Sequence, residues 1–197
     1  ALVRNALILE YEEMIETVEK GSKEWTDTLT QATADYKEVY EKYRTRLAGL
    51  YARMYQGRCL QKLNKPKEAS AIFNELLANP DTPDEFRALK VKVMALAVDS
   101  WAAQGLHLEI IDKAGKLVDS ARPTEDRTDD MMSMRLAVAR AHKAYAEELA
   151  KENKNDPKIK VNLTNGRKLV TYVQKFPGPH QEAARKLLPE FTGGDAE

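Results

Sequence analysis

The sequence predicts an all-α protein of antiparallel helical hairpins stacked side by side, with no strand required. Two observations lead there. Apolar residues recur every three or four positions through almost the whole chain, which is the period of one helix face. The 9 glycines and 8 prolines punctuate those runs, and the runs are rich in Ala, Leu, Glu and Lys, residues that lose little on entering a helix. With 197 residues and 43% hydrophobic content, a single domain over 1–191 is expected, followed by a flexible tail over 192–197.

The N-terminal helices occupy 1–46. From Leu2 to about Lys20, Leu7, Tyr11, Met14, Ile15 and Val18 share one face, with Glu10, Glu12, Glu13, Glu16 and Glu19 on the others. Gly21-Ser22 closes that helix. Trp25, Leu29, Ala32, Tyr36, Val39, Tyr40, Tyr43, Leu47, Leu50 and Met54 then keep the period with no proline between them. Either one helix runs from Trp25 to Leu63, or a short break near Ala48-Gly49 divides it. The series Trp25, Tyr36, Tyr40, Tyr43 is expected to pack as core against the first helix, with its hydroxyls at the rim. A ligand-stacking surface is the alternative.

Helical hairpins are expected over 47–80, 82–122 and 126–177, with a terminal helix over 178–191. In the first, Asn64-Lys65-Pro66 separates two periodic runs and Asn79-Pro80 ends the second. Thr82-Pro83-Asp84-Glu85 supplies a hydroxyl cap, a first-turn proline and a glutamate that reaches back. The helix it starts is apolar on most sides through Trp101, as a buried central helix would be. Leu108, Ile110, Ile111, Ala114, Leu117 and Val118 form its partner. The acidic stretch 124–130 suits the positive end of the next helix, which carries Met131, Met134, Ala137, Val138, Ala141, Tyr145 and Leu149. The polar connector 151–157 leads to Ile159, Leu163, Gly166, Leu169, Val170, Val173 and Phe176, stopped by Pro177-Gly178-Pro179. Ala183, Ala184, Leu187, Leu188 and Phe191 mark the last helix.

The second helices share a pattern. Ala69, Phe73, Leu76 and Pro80 have the same offsets as Gly166, Val170, Val173 and Pro177, and Ile110, Ala114 and Leu117 follow, with Pro123 two positions late. The first hairpin resembles a tetratricopeptide repeat. Gly57 stands where such a repeat keeps a small residue for close helix approach, Leu60 takes the apolar position one turn on, and Ala69 and Phe73 fit its second helix. Arg53, Gln56 and Asn64 depart from the usual aromatic, leucine and turn glycine, and the hairpin spacing is wider than the roughly 34 residues of a regular repeat. The resemblance implies a short right-handed α-solenoid whose inner helices line a concave groove. It places Tyr51, Met54, Arg58, Gln61 and Lys62 in that groove, with Val91, Met94, Val98 and Trp101 added by the second hairpin. Burial between helices is the competing role for these residues. The closing run 172–191 also looks like repeat ends in bacterial cell-envelope assembly and trafficking proteins.

Chemistry by other routes has little support. His107, His142 and His180 lie on separate elements, with no HExxH or His/Cys spacing to hold a metal, and Cys59, the single cysteine, reads as a small buried hydrophobe. No serine has a GxSxG context, and adjacent carboxylates such as Glu12-Glu13, Asp129-Asp130 and Glu147-Glu148 do not face one another on a helix. Asn162-Leu163-Thr164 matches a glycosylation sequon inside an expected helix and is assigned no role. With 31 basic and 31 acidic residues there is no charge excess to draw nucleic acid. No run is apolar and long enough to span a membrane.

The resulting expectation is a non-catalytic scaffold, without a cofactor, that binds a protein or peptide through the groove residues Tyr51, Met54, Arg58, Gln61, Lys62 and Trp101. The alternative is a helical bundle for self-association, as a homo-oligomer, or for cell-envelope assembly. A cytoplasmic or a bacterial periplasmic setting fits equally. The chain begins at Ala1, so an upstream leader or domain is compatible with it.

Overall fold

The computed structural model describes residues 11, 13–80 and 84–191. All regular structure among them is helical, with no strand. The expectations for Leu7, Glu10 and Glu12, for the Thr82-Pro83 cap and for the 192–197 tail lie outside the described residues. Where length suggests one domain, the chain divides into two compact units, 1–100 and 101–197.

The first unit holds helical turns at 13–17, α1 (Lys23–Lys42), α2 (Leu47–Lys62), α3 (Pro66–Leu77) and most of α4 (Asp84–Ala102). Ser22 caps α1 by accepting a 3.1 Å bond from the Trp25 amide, so the Gly21-Ser22 boundary acts as read. A break after Lys42 separates α1 from α2, several residues earlier than Ala48-Gly49. Gly49 sits in the first turn of α2. A Cβ there would lie 2.2 Å from the Tyr43 carbonyl oxygen, so the turn closes only over a residue without a side chain. Asn64 turns the α2–α3 hairpin at φ 58°, a left-handed conformation that asparagine tolerates better than most residues.

Trp25, Leu29, Ala32 and Tyr36 bury against Tyr11 and Ile15 and against Ala52 and Cys59 of α2. The aromatic series is therefore core at its start. At its end Tyr40 reaches Glu75 with its hydroxyl, and Tyr43 is exposed. At Gly57 a Cβ would meet the Phe73 ring at 2.5 Å, so α3 packs directly on the α2 backbone.

In the second unit, α5 covers 107–119 as an α turn His107–Glu109, a π segment Ile110–Ala114 and an α segment Gly115–Asp119. A π turn takes up an extra residue. α6 (Asp129–Glu152) begins at a Thr128 cap with Asp129 and Asp130 in its first turn, as the acidic stretch implied. α7 (Pro157–Gln174) begins at an Asp156 cap, and α8 (Gln181–Leu187) continues into a 3₁₀ turn, Leu188–Phe191. Met132, Leu136 and Ala139 of α6 pack with Val170 and Val173 of α7 and with Ala184, Leu187 and Phe191. Gly166 again permits close approach, since a Cβ there would lie 2.3 Å from the Phe191 ring and 3.1 Å from the Ala139 carbonyl oxygen.

Candidate functional site

Tyr51, Met54, Arg58, Gln61 and Lys62 do share one face of α2, but that face is largely occupied. Met54 is only 4% exposed and Trp101, in the other unit, only 1%, so neither offers a side chain at the surface. Gln61 donates its amide to the Leu96 carbonyl at 2.6 Å and to Ser100 Oγ at 2.8 Å, which fixes α4 rather than a partner. Val91, Met94 and Val98 are buried too. Tyr51, Arg58 and Lys62 remain half-buried.

Two clusters of arginine, carboxylate and tyrosine stand out, one in each unit. Arg53 donates to Glu75 from Nε at 3.2 Å and from a terminal nitrogen at 2.5 Å, and its other terminal nitrogen donates to Gln56 at 2.8 Å. Tyr40 donates to the same carboxylate, and the guanidinium lies 4.9 Å from the Tyr40 ring centre. The departures of Arg53 and Gln56 from the repeat pattern thus bind α1, α2 and α3 together by polar contacts. Burial pushes the Glu75 carboxyl up, but the bonds from Tyr40 and Arg53 outweigh it and hold it below the usual range. The bond to Glu75 raises the Tyr40 phenol.

In the second unit Arg135, 5% exposed, donates to the Asp126 backbone oxygen at 2.6 Å and to its carboxylate at 2.5 Å. Tyr172 donates to the other carboxylate oxygen and offers its ring 4.5 Å from the guanidinium. The Tyr172 bond, followed by the charge of Arg135, holds the Asp126 carboxyl low against the cost of burial. These links pin the loop before α6 to α7. Nearby, His180 Nε2 lies 2.8 Å from Asp129, which ties the α7–α8 connection to the start of α6.

An open concavity of the second unit lies elsewhere. A cleft of about 630 Å³ has α5 and α7 as walls and α6 as floor. That size falls within the roughly 300–1,000 Å³ of ligand pockets. Val138 and His142, one turn apart on α6, form the floor; Leu108, Ile111 and Val118 line one wall and Leu169 the other. Gly115 keeps the middle open: a Cβ there would have only Val138 Cγ1, at 3.9 Å, within contact distance. On the α5 side of the cleft Leu108 is exposed.

The two walls differ in charge. On α5, Lys113 pairs with Glu109 at 2.5 Å and Lys116 with Asp112 at 2.6 Å, and Asp119 adds a further carboxylate to the cleft lining. α7 carries Lys158, Lys160, Arg167 and Lys168 with no carboxylate from Pro157 to Gln174. Of these, Lys168 lines the cleft.

His142 is the buried titratable group of this cleft, 8% exposed. Asn162 donates from Nδ2 to the Lys158 carbonyl at 2.8 Å, which turns its oxygen to His142 Nδ1 at 2.7 Å. That oxygen can only accept, so Nδ1 carries the proton and Nε2 is the acceptor of the neutral ring. Burial lowers the His142 pKa, opposed by the Asn162 bond and the charge of Asp119. Asn162, the sequon residue, is buried in this pair and offers no glycan attachment. Sequence reading missed the pair because its partners lie 20 residues apart on different helices with no local motif between them. Among the described residues no group of His, Cys, Asp or Glu has the arrangement to hold a metal.

No family model, no curated protein and no solved structure matches the chain.

Proposed function

We propose that this protein is a non-catalytic binding module that receives an acidic, amphipathic segment of a partner protein in the α5–α6–α7 cleft of its second unit. The observation that carries this reading is the cleft itself: lined by Val138, Ile111, Val118 and Leu169, edged by exposed Leu108, and bordered by Lys168 of a helix that has no carboxylate. Apolar side chains of the partner gain by leaving water, and a carboxylate of it can pair with Lys168. Nucleic acid would meet the same lysine but has no use for an apolar trough. The tetratricopeptide-like pairing of α2 and α3, with Phe73 seated on Gly57, supports a helical-repeat ancestry for the scaffold.

The test is fluorescence anisotropy with labelled amphipathic peptides whose polar face is either glutamate or lysine. Gly115→Leu plugs the cleft where there is room for the added side chain, and leucine favours a helix more than glycine does. Glutamate peptides should bind the unaltered chain and lose at least tenfold in affinity to the plugged one, with the fold retained. Equal binding by lysine peptides, or no effect of the plug, would refute the reading.

A further inference from the structure

The cleft has one polar feature at its base that a purely greasy groove does not need. We propose that His142 makes the floor a hydrogen-bond-accepting subsite for an aromatic side chain that carries a donor, a tyrosine or tryptophan of the bound segment. This rests on the reading of the cleft as a peptide site and names the anchor that fills it.

Three facts converge. His142 lines the cleft yet is more than nine-tenths buried, so its ring is a built part of the site rather than a surface histidine. Its Nδ1 is committed to Asn162, whose own amide is committed to the Lys158 carbonyl, so the tautomer is fixed and Nε2 is the nitrogen left to accept from a ligand. Around it stand Val138, Ile111 and Leu169, which suit a flat apolar ring. Gly115 provides the breadth a ring requires. A buried acceptor that a ligand covers without a donor costs binding energy, whereas a phenol O–H or indole N–H meets it. A lysine or arginine would also supply a donor, but it would have to shed its hydration to reach the buried floor, a cost that a neutral ring does not meet.

The experiment uses the full chain with ¹⁵N-labelled histidine and three probes: 4-methylphenol, 3-methylindole and toluene, the side chains of tyrosine, tryptophan and phenylalanine. The phenol and the indole should bind about tenfold more tightly than toluene, the worth of one well-made buried hydrogen bond. The His142 Nε2 resonance should move with the first two and stay with toluene. His142→Phe should erase the preference; if that variant does not fold, the Nε2 shift and the affinity ratio in the unaltered chain decide the matter. Equal affinities, a static Nε2 resonance, or no binding of any probe at the cleft would each overturn the subsite. If glutamate peptides still bind and Gly115→Leu still abolishes that binding, the peptide site stands and only the anchor fails.

Discussion

The two units use the same three groups, an arginine, a carboxylate and a tyrosine, at different depths. In the first, Arg53 and Glu75 have side chains 19% and 41% exposed; in the second, Arg135 and Asp126 are at 6% and 29%. Each arginine bonds the carboxylate, each tyrosine donates to that carboxylate, and each ring lies against its guanidinium. Water can replace the first cluster but not the second, so equal geometry does not mean equal energy. The shallow cluster fastens helices whose apolar core already holds them. The deep one ties a loop to two helices, beside the stacking of Arg127 on the Phe176 ring.

The largest effect should come from removing Arg135. Arg135→Ala leaves the Asp126 carboxylate and the Tyr172 hydroxyl half-buried beside a void, and stability should fall by about 3 kcal/mol, the low end for breaking a buried pair because Asp126 keeps some solvent. Urea unfolding measures it, and the chain supplies its own reporters, with Trp25 buried in the first unit and Trp101 in the second. A loss below about 1 kcal/mol would put the two clusters on the same footing.

The close-packed glycines sharpen the contrast. Gly57→Ala meets only atoms of the Phe73 ring, which can shift, whereas Gly166→Ala meets the Phe191 ring and the Ala139 backbone oxygen as well. Both should destabilise, by roughly 1–3 kcal/mol, with Gly166 the costlier. Thermal unfolding followed at each tryptophan would order them; the reverse order would mean that the terminal 3₁₀ turn yields more easily than α3.

How far the sequence could be read follows the same divide between local and distant causes. The helix starts at Ser22, Thr128 and Asp156, the Gly57–Phe73 approach and the core role of Trp25 and Tyr36 all follow from residues within one element or one hairpin. The positions aligned among the second helices, Ala69, Phe73, Leu76, Ile110, Ala114, Leu117, Gly166, Val170 and Val173, are all buried, since the period alone sets which face is inward. Left open by the sequence was whether the apolar residues of the inner helices serve a partner or the core. Met54 and Trp101 have the size and period of both groove and core residues, and only the packing of other helices decides between them. The cleft was invisible because it is made by Gly115, Val138, His142 and Leu169 on three helices.

Acid should separate the units by smaller margins. All three histidines, His107, His142 and His180, lie in the second unit. His142 is held below its ordinary value of 6.5, so the unfolded chain binds the proton more readily than the folded one. The stability this contributes is fully present above pH 6.5 and is lost as pH falls from there through the lowered folded value. The Trp101 signal should therefore lose urea resistance between pH 7 and 5.5 while the Trp25 signal changes little. Below the carboxylate range both units weaken, because Asp126 and Glu75 are each held under their ordinary values of 3.8 and 4.5 and their contribution disappears as they protonate. His142→Gln should flatten the first of these slopes. If it does not, the sensitivity between pH 7 and 5.5 belongs to another group.

The smallest expected effect separates the two surfaces most directly. Arg58 and Lys62 lie on the α2 face that the repeat resemblance marks as a groove, while Lys168 lines the second-unit cleft. Charge reversal at half-exposed or exposed helix positions costs little folding energy, about 0.5 kcal/mol or less. An acidic peptide held in the cleft would feel the Lys168→Glu reversal at close range, and its affinity should fall roughly three- to tenfold at low salt, with the loss shrinking as salt screens the charge. Arg58→Glu with Lys62→Glu should change that affinity by less than twofold. If the double reversal in α2 abolishes binding and Lys168→Glu does not, recognition lies on the first hairpin after all.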